Sequence, residues 1–150
     1  MTNSIVIADS AAATLEPAPI SARYILDGAP EARGKLLAKS YDGTAHIMLW
    51  ECTEGLFVWH YDVDETVVIV SGEVFITDET GEERRLGPGD MGFFPAGSSC
   101  RWRVTRRIRK IAVLRKDLPL ALGFGVRVWH KFLQLAHVRG RSTPLSTVAS

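Results

Sequence analysis

The sequence predicts an all-β domain, a small jelly-roll barrel, on three observations. Short runs of β-branched and aromatic residues recur along residues 45–115. Turn-forming clusters separate them: DETGEE at 78–83, GPGD at 87–90 and PAG at 95–97. No stretch between them carries the apolar period of a helix. A chain of 150 residues that is 46% hydrophobic can enclose one core, and is short for two.

The elements follow in chain order. Residues 1–19 are rich in Ala, Ser, Thr and Pro and read as a flexible N-terminal arm, able to add an edge strand. Over residues 20–37, Gly28, Pro30 and Gly34 punctuate short pieces, so turns are expected, with a brief strand at 23–26. AHIMLWEC at 45–52 and residues 56–61 read as a strand pair around the turn at 53–55. TVVIV at 66–70 is a continuous apolar run, the pattern of a strand buried on both faces; Ser71, Gly72 and Glu73 interrupt it before 74–77 resumes. Short strands follow at 84–86, 92–94, 99–105 and 110–115.

Beyond Pro119 the pattern changes. Trp129, Phe132, Leu133 and Ala136 fall at helical spacing, which predicts a helix over residues 126–138, while the alternating Leu118, Leu120, Leu122, Phe124 and Val126 suit a strand. The expected organisation is an arm at 1–19, a barrel domain at 20–118, and a helical extension and tail at 119–150.

Lys and Arg number 18 against 17 Asp and Glu, so no overall field draws the chain to nucleic acid or to an anionic membrane. The N-terminus has neither a basic n-region nor a sustained apolar run, so a cytoplasmic protein is expected. Cys52 and Cys100 lack metal-knuckle spacing and in a reducing compartment read as free thiols. Arg101, Arg103, Arg106, Arg107 and Arg109 form an outward basic stripe without interleaved aromatics, better suited to salt bridges with the DETGEE turn than to nucleic acid. Asp62 and Asp64 read as capping residues on a turn.

Around residues 55–72 the sequence concentrates chemistry: His60, four residues, Glu65, six residues, Gly72. Further on, Gly89, Asp90, Pro95, Gly97 and Cys100 keep a second spaced frame. These segments resemble the two motifs of the cupin superfamily, the first running Gly, five residues, His-x-His, three or four residues, Glu, six residues, Gly. WECTEGLFVWHYDVDET, VSGEV, GPGD, FPAG and the later IRK are similar to the small cupin family that includes the ureidoglycine aminohydrolase cupin domain and the ethanolamine-utilisation cupin. The resemblance covers residues 20–115 and implies a double-stranded β-helix barrel with an internal site.

Placed at the second His of the motif, His60 puts Val58 at the first, and Cys100 stands at the final His. With His60 as the first ligand, Asp62 takes the second place and only two residues precede Glu65, shorter than the family spacing. In the first register the resemblance implies a metal set reduced to His60, Glu65 and Cys100, able to hold at most a weakly bound divalent ion: zinc, iron, manganese or nickel. His60 and Glu65 are the candidate catalytic pair. Trp102, Phe94 and Lys110 are the candidate substrate contacts; Trp50, Trp59 and Phe93 are further wall candidates. Trp59, opposite in parity to His60, is expected in sheet packing or a subunit contact. Two readings stand: an enzyme acting on a small nitrogenous or carbonyl compound, and a non-catalytic metabolite-binding or structural dimer domain with a degenerate metal site. Small-molecule ligand, no nucleic acid, no membrane and a homodimer are the expected partners.

Overall fold

The structure, a computed structural model, describes residues 4–117 together with Trp129 and Lys131. Residues 4–117 lie in the first of the chain's two units, Met1–Asp117; of the second, Leu118–Ser150, only those two residues are described, both helical. The helix expected over 126–138 otherwise lies outside the described residues. No helix among them is long and apolar enough to cross a membrane.

Over residues 4–117 the fold is all-β apart from a 3-10 turn at Ala22–Tyr24. Its strands are β1 (Glu16–Pro17), β2 (Ile25–Asp27), β3 (Ala32–Lys39), β4 (Ala45–Cys52), β5 (Gly55–His60), β6 (Asp64–Thr77), β7 (Glu83–Leu86), β8 (Met91–Phe94) and β9 (Ser99–Arg115). The boundaries expected for β4, β5, β7 and β8 agree to within a residue. The two pieces expected around Ser71 are one strand, β6, and the two expected around Arg107 are one strand, β9. Residues 32–37 were expected as turns, yet Ala32–Lys39 forms β3 because β4 supplies a ladder along it. Propensity is a weak guide where a neighbouring strand provides the hydrogen bonds.

The long antiparallel pair β6 and β9 is the spine. On the free edge of β9, β4 takes residues 108–115 and β5 takes 99–104. On the free edge of β6, β8 takes 65–68 and β7 takes 74–77. The sheet therefore has two halves that share two strands. They curl together where the register of β6 shifts between Ile69 and Val74. The shift also exchanges faces: Val67 and Ile69 are buried before it, Val74 and Ile76 after it. Val68, between them, is 40% exposed, so the run at 66–70 is buried on one face, and not on both as its composition suggested.

That the halves face one another follows from the core. Trp50 of β4 meets Phe57, Trp59 and Trp102 edge-on, with centroids 6.0–6.3 Å apart, and Phe57 stacks on Trp102. Phe94 of β8 stacks on Tyr61 at 4.7 Å. Such aromatic contacts add to the area that their rings bury. Four arginines of the stripe are paired on the outside: Arg103 with Glu83 of the 78–83 turn, Arg106 with Glu73, which also holds Arg85, and Arg107 and Arg109 with Glu51. Asp64 accepts the Ala96 N–H at 2.9 Å and holds the PAG turn.

Candidate ligand chamber

Between the halves lies a cavity of about 320 Å³. Its floor carries the two buried charged residues of the described core, Glu65 at the start of β6 and Lys110 in the middle of β9. Lys110 Nζ donates to Glu65 Oε1 at 2.6 Å and sits 4.9 Å from the Trp50 ring and 4.5 Å from the Trp102 ring. A charge-assisted hydrogen bond and two aromatic faces thus replace the water that both ions gave up. Trp50 and Met48 of β4 and Trp59 of β5 form one side; Ala112 and Leu114 continue the floor along β9, and Ala18 and Pro19 of the arm close the remaining side.

Phe57, Trp59 and Tyr61 face inward, whereas His60 points out, exposed, with its ring edge-on to Tyr24 at 5.1 Å. The inward positions before Glu65 are therefore Trp59 and Tyr61, the latter separated from Glu65 by three residues, and both registers considered for His60 are off by one. The expectation that Trp59 packs away from the chamber is reversed: it is a wall. Alternation of aromatics at 57, 59 and 61 against Leu56, Val58 and His60 is the sequence signal for this face.

The proposed metal set fares accordingly. His60, Glu65 and Cys100 are not brought together, and no group of three or more His, Cys, Asp or Glu residues able to hold a metal exists among the described residues. Cys100 is buried, its Sγ 3.7 Å from the Tyr61 hydroxyl, which also accepts the Trp102 Nε1–H at 3.0 Å. Burial raises the Cys100 thiol above its ordinary value, against the hydrogen bonds that favour the thiolate. With Glu65 committed to Lys110, the residues present do not fit the divalent ion that the family implies.

Of the expected substrate contacts, Lys110 lines the chamber. Trp102 lies beneath it, 1% exposed, as support for the lysine. Phe94 instead lines a second cavity of about 310 Å³, together with Cys100, Ile76, Leu86, Arg84 and Glu82. Trp50, a wall candidate in the sequence, lines the chamber, whereas Met48, Ala18 and Pro19 are chamber residues that no motif marked.

Burial pushes the Cys52 thiol up to about 12 and raises the Tyr61 phenol as well as Cys100. Unfolded, such groups titrate near ~8.5 for Cys and ~10 for Tyr. Each folded value exceeds the unfolded one, so the stability these groups contribute is complete below pH ~8.5 and is lost as pH rises toward the folded values. The thermal midpoint is expected to fall steadily above pH ~8.5. Cys52→Ala should flatten that decline, and an unchanged slope in this variant would contradict the assignment.

Comparison with known proteins agrees with this architecture. Residues 39–112 match the EutQ-like cupin domain. Among solved structures, the chain is similar to a protein of unknown function of the DUF861 family from Pseudomonas syringae pv. tomato, at 24% identity and TM-score 0.65, over 71% of this chain and 46% of that one. It is similar to a structure described as ethanolamine utilization protein Q from Salmonella typhimurium, at 24% identity and TM-score 0.52, over 59% of this chain and 72% of that one. For the Clostridium difficile EutQ protein the figures are 22% identity and TM-score 0.51, over 59% and 64%. The chain thus spans less than half of the Pseudomonas protein and under two thirds of the Clostridium one. At these identities the likeness shows the fold. No curated protein matches the chain. The curled sheet and the match over residues 39–112 together make the barrel of this chain similar to the EutQ-like cupins.

Proposed function

We propose that the chain binds a small metabolite in the chamber between Trp50, Trp59 and the Glu65–Lys110 pair, without a metal. The observation that carries this reading is the buried ion pair opening onto a cavity of about 320 Å³ with aromatic walls. Such a site supplies apolar contact for the body of a ligand and one fixed donor–acceptor pair for its polar end. Nitrogenous and carbonyl compounds are the matching class, since a carbonyl oxygen can accept from Lys110 and an N–H can donate to Glu65. The metal-dependent hydrolase expected from the resemblance is not carried forward, because its ligand set does not assemble.

Native mass spectrometry of freshly purified chain, with and without chelator, tests the reading. A retained small molecule that survives chelation and is lost in Trp59→Ala and Glu65→Gln is the expected result. A stoichiometric metal removed by chelator would sink the metal-free reading. At a ligand concentration 100-fold above Kd the barrel should gain about 2.7 kcal/mol.

One observation favours a catalytic second reading. The 2.6 Å contact between Lys110 and Glu65 provides a paired acid and base beside a bound carbonyl. Turnover of a retained compound, followed by NMR, separates this from plain binding.

The homodimer also belongs to this proposal, as does a location in the reducing cytoplasm, with which the free, buried Cys52 and Cys100 are compatible. Ile47, Val68, Met91, Phe93 and Val113 are between 38% and 63% exposed on one outward sheet face, an apolar row for a second copy to cover. Light scattering should report twice the chain mass, and Phe93→Lys should shift it to the monomer.

A further inference from the structure

Every lining residue of the chamber lies on β4, β5, β6 or β9 except Ala18 and Pro19, which belong to the arm. Their hold on the barrel is slight. β1 forms a ladder of two residue pairs, Glu16 with Gly34 and Pro17 with Arg33, and the Ala18 N–H donates to the Ala32 carbonyl at 2.9 Å. Ile20, 8% exposed, anchors the arm in the core directly after the wall. Two-residue ladders at a sheet edge open readily, so an anchor on the other side of the wall decides how firmly it stays shut.

Arg109 is that anchor. Facing outward beside Lys110, it donates from Nε to the Ser10 carbonyl at 2.7 Å and from Nη2 to the Ala13 carbonyl at 2.8 Å. Its Nη1 donates to Glu51 Oε2 at 3.0 Å, which aims the guanidinium, and the side chain is only 14% exposed. Asp9 shapes the strap that it grips: Oδ1 accepts the Ala11 and Ala12 N–H groups, and the Asp9 carbonyl accepts that of Ala13. A planar fork with several fixed donors can hold two carbonyls and a carboxylate at once, which an ammonium cannot match.

We infer that Arg109 is a positioning residue for the chamber: by latching residues 9–13 it holds Ala18 and Pro19 in place as a wall, and release of this strap is how a ligand enters. Neighbouring residues on opposite faces of β9 then serve one site, Lys110 from beneath and Arg109 through the arm. The inference rests on the chamber being the binding site.

Acrylamide quenching of tryptophan fluorescence tests it in the full chain, with Trp129→Phe so that emission comes from Trp50, Trp59 and Trp102. Arg109→Met should raise the quenching constant several-fold. Arg107→Met should not, since Arg107 pairs with Glu51 and donates its N–H to Glu54, both on the barrel side of the strap. Amide hydrogen exchange supplies the second reading: the Ala18 N–H should exchange faster in Arg109→Met, with the ladder of β4 and β9 unchanged. Arg109→Lys keeps the charge without the fork and should fall between; it also keeps the test decisive if the methionine variant does not fold. Quenching equal to the parent, or exchange that quickens equally throughout the barrel, overturns the inference. Neither readout uses a ligand, so its failure is distinct from failure to find a bound metabolite.

Discussion

Gly72→Ala is expected to cost the barrel at least ~3 kcal/mol and to lower its thermal midpoint by more than ~10 °C. Gly72 lies in the break of β6 with φ +89°, a conformation that L residues adopt only with strain. A Cβ there would also run into the backbone of β9, 2.7 Å from the Arg107 carbonyl carbon and 2.8 Å from the Arg106 carbonyl oxygen. Backbone on a paired strand cannot step aside as a side-chain tip can, so the sheet would have to uncurl. Gly81→Ala is the control: it shares the left-handed φ, +88°, yet a Cβ there meets nothing within 4 Å. It should cost only the conformational penalty, about 1–2 kcal/mol. Equal losses in the two variants, measured by urea denaturation, would show that the approach of β6 to Arg107 does not hold the curl.

Lys110→Met is expected to lose about 3–5 kcal/mol, because it strands the Glu65 carboxylate among aromatic rings with no counter-ion. Lys110 is 4% and Glu65 5% exposed, so solvent cannot replace the lost partner. The double variant Glu65→Gln, Lys110→Met removes both charges and should recover most of the loss, since a buried pair is worth little against neutral groups of similar shape. The double-mutant cycle reads the coupling directly. A methionine variant as stable as the parent would mean that the pair is not buried in solution, and the chamber as described would go with it.

The Arg103–Glu83 pair is a weaker handle, for both partners are 42% exposed and such pairs contribute little. Its value lies elsewhere: it ties the 78–83 turn to β9 on the outer surface and leaves the arginine stripe largely occupied.

Much of the fold was legible in the chain. Turn clusters at 78–83, 87–90 and 95–97 bound short strands in the structure as they do in the sequence, because glycine, proline and aspartate act locally and need no distant partner. β3 was not legible. Ala32–Lys39 carries Gly34 and two lysines, and becomes a strand through its ladder with β4. The candidate site divided in the same way. Glu65 and Lys110 were marked by spacing and resemblance, and both reach the chamber. His60 was marked for the same reasons and faces outward.

What the sequence determined by itself was local and periodic: an all-β domain, its turns, and the carboxylate and lysine now at the chamber floor. Which face of each strand looks inward was left to tertiary structure. In a strand a shift of one residue exchanges the faces, so a motif aligned on His60 instead of Trp59 sends every neighbouring side chain to the wrong side. Pairing of β5 with β9, the break at Gly72 and the closing arm decide that parity, and each of them depends on residues far apart in the chain.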